Sequence, residues 1–119
     1  MQEHIFIQEA PESLDVDALR TMLHTEGCGA IVSFIGITRG MDAGEEVLSL
    51  EFDAWQEKLS ETLHGLAENA MSQFGLHSIA MAHRTGSVGP GENIVAIHVA
   101  SPHRKEAFEG CSWLIDELK

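Results

Sequence analysis

The stretch VASPHRKEAFEG, residues 99–110, sets His103, Arg104 and Lys105 in a row directly behind a proline. A helix N-terminus carries unpaired N–H groups and a partial positive charge, so a histidine and an arginine in a first turn suit the holding of a phosphate or carboxylate. Positive side chains there oppose the helix dipole, which a structural role alone does not favour. The plainer alternative is that Arg104 and Lys105 solvate the helix start, paired with Glu106 and Glu109. Five of the seven Lys and Arg residues (Arg39, Arg84, Arg104, Lys105 and Lys119) stand beside expected strand ends or on the last helix. Arg39 closes an apolar strand ahead of a glycine-containing loop, where binding residues on a rigid scaffold tend to sit. Its alternative is an ordinary exposed strand-end arginine. His83 and Arg84 end another strand before a glycine turn, with a structural hydrogen bond or ion pair as the alternative role. His98 alternates with apolar neighbours and reads as a core histidine. Seven histidines occur, in no compact metal-ligand spacing, so no metal is expected. GxGxxG, Walker, HExxH and CxxC patterns are absent, and no cofactor is expected.

These residues sit in a chain of 119 residues, 44% apolar and 22% charged, the composition of one globular domain spanning residues 1–119. Nineteen acidic residues against seven basic ones give a net charge of −12. With no basic run, that balance argues against nucleic acid and against anionic membrane, and leaves a small metabolite or another protein as partner. The apolar stretches fall short of the ~20 residues a membrane span needs, and MQEHIFIQEA lacks the parts of a signal peptide, so a cytoplasmic location is expected. Cys28 and Cys111 are expected to be reduced and buried. Trp55, Trp113, Met22, Met71 and Met81 are expected to be packing residues.

Periodicity supplies the elements that must position the charged groups. HIFIQ suits a short strand. LDVDALRTMLHTEG places Val16, Leu19, Met22 and Leu23 at helical spacing, with Asp15 as N-cap and Gly27 as stop. GAIVSFIGITR and EVLSLEFDAW read as two strands that pair with each other across GMDAGE. From about Gln56 to Phe74, Leu59, Leu63, Leu66, Ala67, Ala70, Met71 and Phe74 form one stripe closed by Gly75. HSIAMAHR and NIVAIHVAS flank TGSVGPGE as a second antiparallel pair. In the last segment Ser101 is the expected cap, Pro102 the first helical residue, and Ala107, Phe108, Cys111, Leu114, Ile115 and Leu118 the buried stripe. The order β-α-β-β-α-β-β-α predicts an α+β domain, a mainly antiparallel sheet with helices packed on one side.

The segments CGAIVSFIGITRG, LEFDAW before a long helix, HRTGSVGPGE and SPHRKEAFEGCSWLIDELK occur in unbroken order from about Gly27 to the end. Together they resemble the large, catalytic subunit of molybdopterin synthase. The resemblance implies an α/β hammerhead-type fold and a homodimer with a small ubiquitin-like sulfur-carrier subunit docked at each end. It implies transfer of sulfur from the carrier's thiocarboxylated C-terminus to cyclic pyranopterin monophosphate, which makes the dithiolene of molybdopterin. Carried over by position, Ile37, Thr38 and Arg39 match the substrate-contacting strand end, and His103 and Arg104 the phosphate-binding helix start. Lys119 matches a lysine placed for covalent or acid/base work, and Arg39 and Lys119 are the implied catalytic groups. Both the pterin phosphate and the thiocarboxylate are anionic, so fixed positive charge is needed inside an acidic surface.

A continuous helix over residues 103–119 separates His103 from Lys119 by roughly 24 Å at ~1.5 Å per residue, too far for one pterin to touch both. Either the helix bends near its end, or each site takes His103 and Arg104 from one subunit and Arg39 and Lys119 from the other; the second is the expectation. The resemblance also implies a further segment with a second functional lysine beyond Lys119, so the family's C-terminal tail is absent from the sequence. A noncatalytic carrier-binding or regulatory module of the same fold is therefore the alternative reading.

Overall fold

A computed structural model of the chain describes residues 4–39, 41–42, 45–46, 50–51 and 58–118. Two segments rich in β-branched and small residues, β6 (Ser78–Arg84) and β8 (Asn93–Ser101), form its centre. Every residue of β6 is buried, as a strand covered on both faces must be. The two pair antiparallel, from Ser78 opposite Ala100 to His83 opposite Val95, which is the pairing expected around TGSVGPGE. β1 (Ile5–Ala10) joins β6 in parallel, and β2 (Ala30–Ile37) joins β8 antiparallel, giving the strand order β1-β6-β8-β2. β2 is therefore an edge of this sheet.

That placement corrects one expectation. Among the described residues β2 pairs with β8 and not with the segment that follows it. The following segment contributes short pieces instead, β3 (Met41–Asp42), β4 (Glu45–Glu46) and β5 (Leu50–Glu51), the first two pairing with each other and the third with β7 (Ser87–Val88). The rest of that expected strand, with Trp55, lies outside the described residues.

Alternation along the strands separates two cores. Ile79, Met81, Ile97 and Val99 point to the side covered by α2 (Leu59–Phe74) and α3 (Arg104–Leu118), where they meet Leu63, Ala67, Ala107 and Leu114. Ala80, Ala82, Ala96 and Ala100 point to the other side, under Leu14, Leu19 and Leu23. The second group belongs to α1 (Val16–Arg20) and its flanks, so helices cover both sides of the sheet rather than one. Small alanines on that side let the short helix and its turn lie close to the strands.

α1 begins as read, with the Asp15 carboxylate accepting from Ala18 N at 3.0 Å. It ends well before Gly27. Met22 N and Leu23 N reach back only three residues, to Leu19 O and Arg20 O. The Thr21 hydroxyl donates to Ala18 O at 2.6 Å, offering that carbonyl a side-chain partner. The tightened turn buries Leu23 and leaves Met22 45% exposed, so Met22 is not a core filler. α2 keeps its stripe, with Leu59, Leu63, Ala67 and Ala70 buried and Gly75 left-handed at its C-cap. In α3, Gly110 rather than Phe108 faces the core: a Cβ on Gly110 would meet the end of the Leu76 side chain, just past the end of α2, at 2.7 Å. Phe108, two residues and about 200° round the helix from Gly110, is 60% exposed. No helix among the described residues is long and apolar enough to cross a membrane.

Candidate functional site

The sheet carries the expected anion-binding residues to two opposite ends. At one end β8 runs through Ser101 into α3, and β2 starts beside it, with Ala30 opposite Ser101. Gly29 N donates to both Ser101 O (3.1 Å) and Pro102 O (3.2 Å). The Ser101 hydroxyl, on a residue 1% exposed, accepts from His103 N at 3.4 Å. His103 O in turn accepts from Ala107 N, so His103 occupies the cap and Arg104 the first helical position. The helix thus begins two residues later than Pro102, because the β8 ladder holds the chain extended through Ser101. His103, Arg104 and Lys105 are all exposed around this start.

At the other end β2 shifts register between Gly36 and Ile37, bringing Ile37 opposite Asn93. Thr38 follows, only 5% exposed, and its backbone is tied on both sides. Thr38 N donates to Glu92 O (3.0 Å) and Gly91 N donates to Thr38 O (2.8 Å). Its hydroxyl donates to Gly89 O and accepts from Glu92 N at 3.2 Å. Arg39 is the next residue and is exposed. Beside it opens a cavity of about 320 Å³ lined by Phe34, Gly36, Ile37, His83, Ile115 and Leu118 among others. Leu118 is the last described residue of α3, and Lys119 lies outside the described residues.

α3 is one continuous helix from Arg104 to Leu118, a length of about 21 Å at 1.5 Å per residue. The bend allowed by the sequence is not found within that span. Within one chain the fold brings together Ile37, Thr38, Arg39 and the C-terminal end of α3. It leaves His103 and Arg104 at the far end.

Two other expected residues have structural surroundings. Arg84 is 3% exposed, with Nε donating to Ala10 O (2.9 Å) and one terminal nitrogen to Ser87 O (3.0 Å). Its other terminal nitrogen donates to the Glu92 carboxylate at 2.6 Å. Glu92 Oε2 accepts from Gly89 N at 2.7 Å, and this bond, followed by the one from Arg84, holds the Glu92 carboxyl below the usual carboxylate range. His98, 1% exposed, is the core histidine expected of it. Nε2 donates to Val16 O (3.0 Å), and Nδ1 therefore accepts from the Ser33 hydroxyl (2.6 Å). Burial lowers its pKa. Cys111 is buried, with its thiol pushed up to about 11 by that burial, whereas Cys28 is only partly covered.

Sequence reasoning did not find the cavity, because its walls come from β2, β8 and α3 and look like ordinary core positions in one dimension. His83 is the polar group in that wall. Nδ1 donates to Arg84 O at 2.7 Å, the structural hydrogen bond expected of it, while the ring is also part of the cavity lining. Glu92 was missed as well; its signal is that it ends a GPGE turn and stands eight residues after a strand-end arginine.

The comparisons with known proteins converge on one family. The molybdopterin synthase catalytic subunit of Arabidopsis thaliana is 38% identical over 115 residues, covering 97% of this chain and 58% of that protein. The chain thus spans a little over half the length of that relative. A crystal structure of molybdopterin synthase from Staphylococcus aureus superposes with a TM-score of 0.82 at 26% identity, covering 91% of this chain and 79% of that one. A complex of subunits 1 and 2 of the molybdopterin-converting factor from Helicobacter pylori shares the fold, with a TM-score of 0.75 at 24% identity over 95% of this chain and 77% of that one. The MoaE protein family matches residues 9–119, from the last residues of β1 through the other three strands of the sheet and both ends of α3, and the chain belongs to that family.

Proposed function

We propose that the chain acts as the catalytic subunit of a molybdopterin synthase, a sulfurtransferase. It would take sulfur from the thiocarboxylated C-terminus of a small carrier and add it to cyclic pyranopterin monophosphate to form the dithiolene. The observation that carries this reading is that the residues expected to bind anions lie at two opposite ends of a sheet whose edge strand β2 has no second strand partner among the described residues. β2 carries Ile31, Ile35 and Ile37 at 41%, 36% and 57% exposure. An exposed apolar edge strand invites a second strand. Antiparallel pairing of two β2 strands about a twofold axis through Phe34 keeps each side chain on its own face and would set Arg39 of one protomer opposite Gly29 of the other. Gly29 is bonded to Ser101 and Pro102, so Arg39 would meet the α3 start of the partner subunit, where His103 and Arg104 stand. Each of two identical sites would then be complete.

In such a site the α3 N-terminus and Arg104 hold the pterin's phosphate through N–H donors and charge. Arg39 supplies positive charge where the thiocarboxylate arrives. The 320 Å³ cavity beside Arg39 is in the range of ligand pockets. Its apolar walls offer few partners to a polar pterin ring and suit the carrier's extended C-terminal tail, whose end then emerges beside Ile37 and Arg39. Lys119, one residue past the cavity wall at Leu118, is the group assigned to acid/base or covalent work on the thiocarboxylate. The assembly of two subunits in the structurally similar H. pylori complex fits a carrier docking on this fold.

The test is to mix the protein with thiocarboxylated carrier and cyclic pyranopterin monophosphate and assay dithiolene product. Product supports the reading; carrier binding without product makes the chain a noncatalytic module; binding of neither defeats it. Heterodimers of Arg104→Ala and Lys119→Ala chains test the sharing of sites. One of their two pockets regains both groups, so activity should recover to about half of wild type, and no recovery refutes sharing.

A further inference from the structure

A run of hydrogen bonds joins the far edge of the sheet to Arg39. It starts where β1 ends, at Ala10 O, which accepts from both Thr85 N (3.1 Å) and Arg84 Nε (2.9 Å). It passes through the Arg84 guanidinium to the Glu92 carboxylate at 2.6 Å. From Glu92 it reaches Gly89 N through the second carboxylate oxygen and Thr38 through the backbone. Glu92 therefore closes the loop between β7 and β8 onto itself and onto the end of β2 at once. Thr38 has its N–H, its C=O and its hydroxyl all bonded to residues 89–92. The position and direction in which the chain leaves Thr38, and so where Arg39 begins, are set by that loop and not by the β2–β8 ladder, which slips register just before it.

We propose that Arg84 and Glu92 are positioning residues for Arg39. Their ion pair locks the 89–92 loop, the loop locks Thr38, and Thr38 fixes the Arg39 backbone two residues past Ile37 of the cavity wall. A buried guanidinium with three further carbonyl partners, Ala10, Pro11 and Ser87, gives the clamp one well-defined geometry. The planar fork of arginine suits this and the single ammonium of lysine does not. Positioning matters because a displacement of about 1 Å at a reacting group can cost on the order of a hundredfold in rate.

The assignment rests on the proposed sulfur-transfer function for its kinetic arm and is independent of it in its second arm. Glu92→Gln is the working variant, since Glu92 is at the surface and the change keeps its size. The amide can still accept from Arg84 but loses the acceptor for Gly89 N. Arg84→Lys is the second variant, and any loss of fold in it is read by circular dichroism. In the synthase assay Glu92→Gln should lower kcat/KM for the pterin roughly tenfold. In an Arg39→Ala background the same change should cost less than about twofold, because its effect runs through Arg39. Equal losses in both backgrounds overturn the proposal. In the second arm, hydrogen exchange by mass spectrometry should show faster exchange at Thr38 and Gly91 in Glu92→Gln, with β6 unchanged. Unchanged exchange at those amides also overturns it. Faster exchange in a protein that makes no product leaves the clamp standing and removes the sulfur-transfer reading.

Discussion

Gly29→Ala is expected to damage the α3 start more than any other single added methyl group at that end. The Cβ it introduces would stand 2.7 Å from Pro102 O, about 0.7 Å inside ordinary van der Waals contact. The neighbour is backbone on a strand-to-helix junction, so no rotamer change relieves it. Either the β2 start or the α3 start must move. Each route weakens the two bonds from Gly29 N to Ser101 O and Pro102 O, at roughly 0.5–1.5 kcal/mol each. Against this, alanine restricts the unfolded chain and returns about 0.4–1 kcal/mol. A net loss of about 1–2 kcal/mol follows, within the range for overpacked sites. Because His103 and Arg104 come directly after Pro102, affinity for the phosphate of the proposed pterin substrate should fall as well. Gly65→Ala is the matched control: nothing lies within 4 Å of a Cβ there, and in the middle of α2 alanine should stabilise by about 0.5–1 kcal/mol. Urea unfolding of both variants measures the pair. A Gly29→Ala protein as stable as wild type would refute the reasoning, by showing that the junction yields freely.

Three further outcomes are expected. Leu63→Ala, at a fully buried position between α2 and the sheet, should cost about 2–5 kcal/mol in the same urea assay, with no change in m-value. Burial lowers the His98 pKa in the folded chain, so protonation favours unfolding: its contribution is complete above the unfolded value near 6.5 and is lost progressively as pH falls below it. A pH series of unfolding midpoints for wild type and His98→Gln should show this loss in wild type alone. Under native conditions a thiol reagent should modify Cys28 and spare Cys111, whose thiol is buried and pushed up to about 11. Modification of Cys111 at the rate of Cys28 would contradict the packing described.

What the sequence made legible was mostly local. The α2 stripe could be read because Leu59, Leu63, Ala67 and Ala70 repeat at helical spacing, and Gly75 marked its end through the left-handed cap it alone takes easily. The β6–β8 pairing could be read because a glycine-rich turn joins the two strands. β2 was seen as a strand, but its partner was not, since a continuous apolar run looks the same beside its sequence neighbour as beside a strand sixty residues later. Phe108 was misplaced because its neighbours Ala107 and Cys111 are core. Only the close approach of Leu76 to Gly110 shows which way the helix is turned. For the site, residue types pointed to the groups of both proposed anion-binding ends. Which end each group occupied needed the register of β2 on β8. The ion pair offered as the alternative role of Arg84 is found, but its partner Glu92 was not legible until the fold buried the arginine beside it.

The strand order also has a kinetic consequence. Of the three junctions in the sheet only β6–β8 joins neighbouring strands; β1 meets β6 across more than seventy residues, at Ile5 and Ile79, and β2 meets β8 at Ala30 and Ser101. Closing such long loops is the slow part of folding. The β6–β8 hairpin with α3 is the natural nucleus, and the two outer strands dock after the barrier, so substitutions in β2 should speed unfolding while leaving the refolding rate nearly unchanged. Newly made chains would then hold a formed α3 start before the strand end bearing Arg39 is in place, and the proposed pairing of two β2 strands would be the last event of maturation.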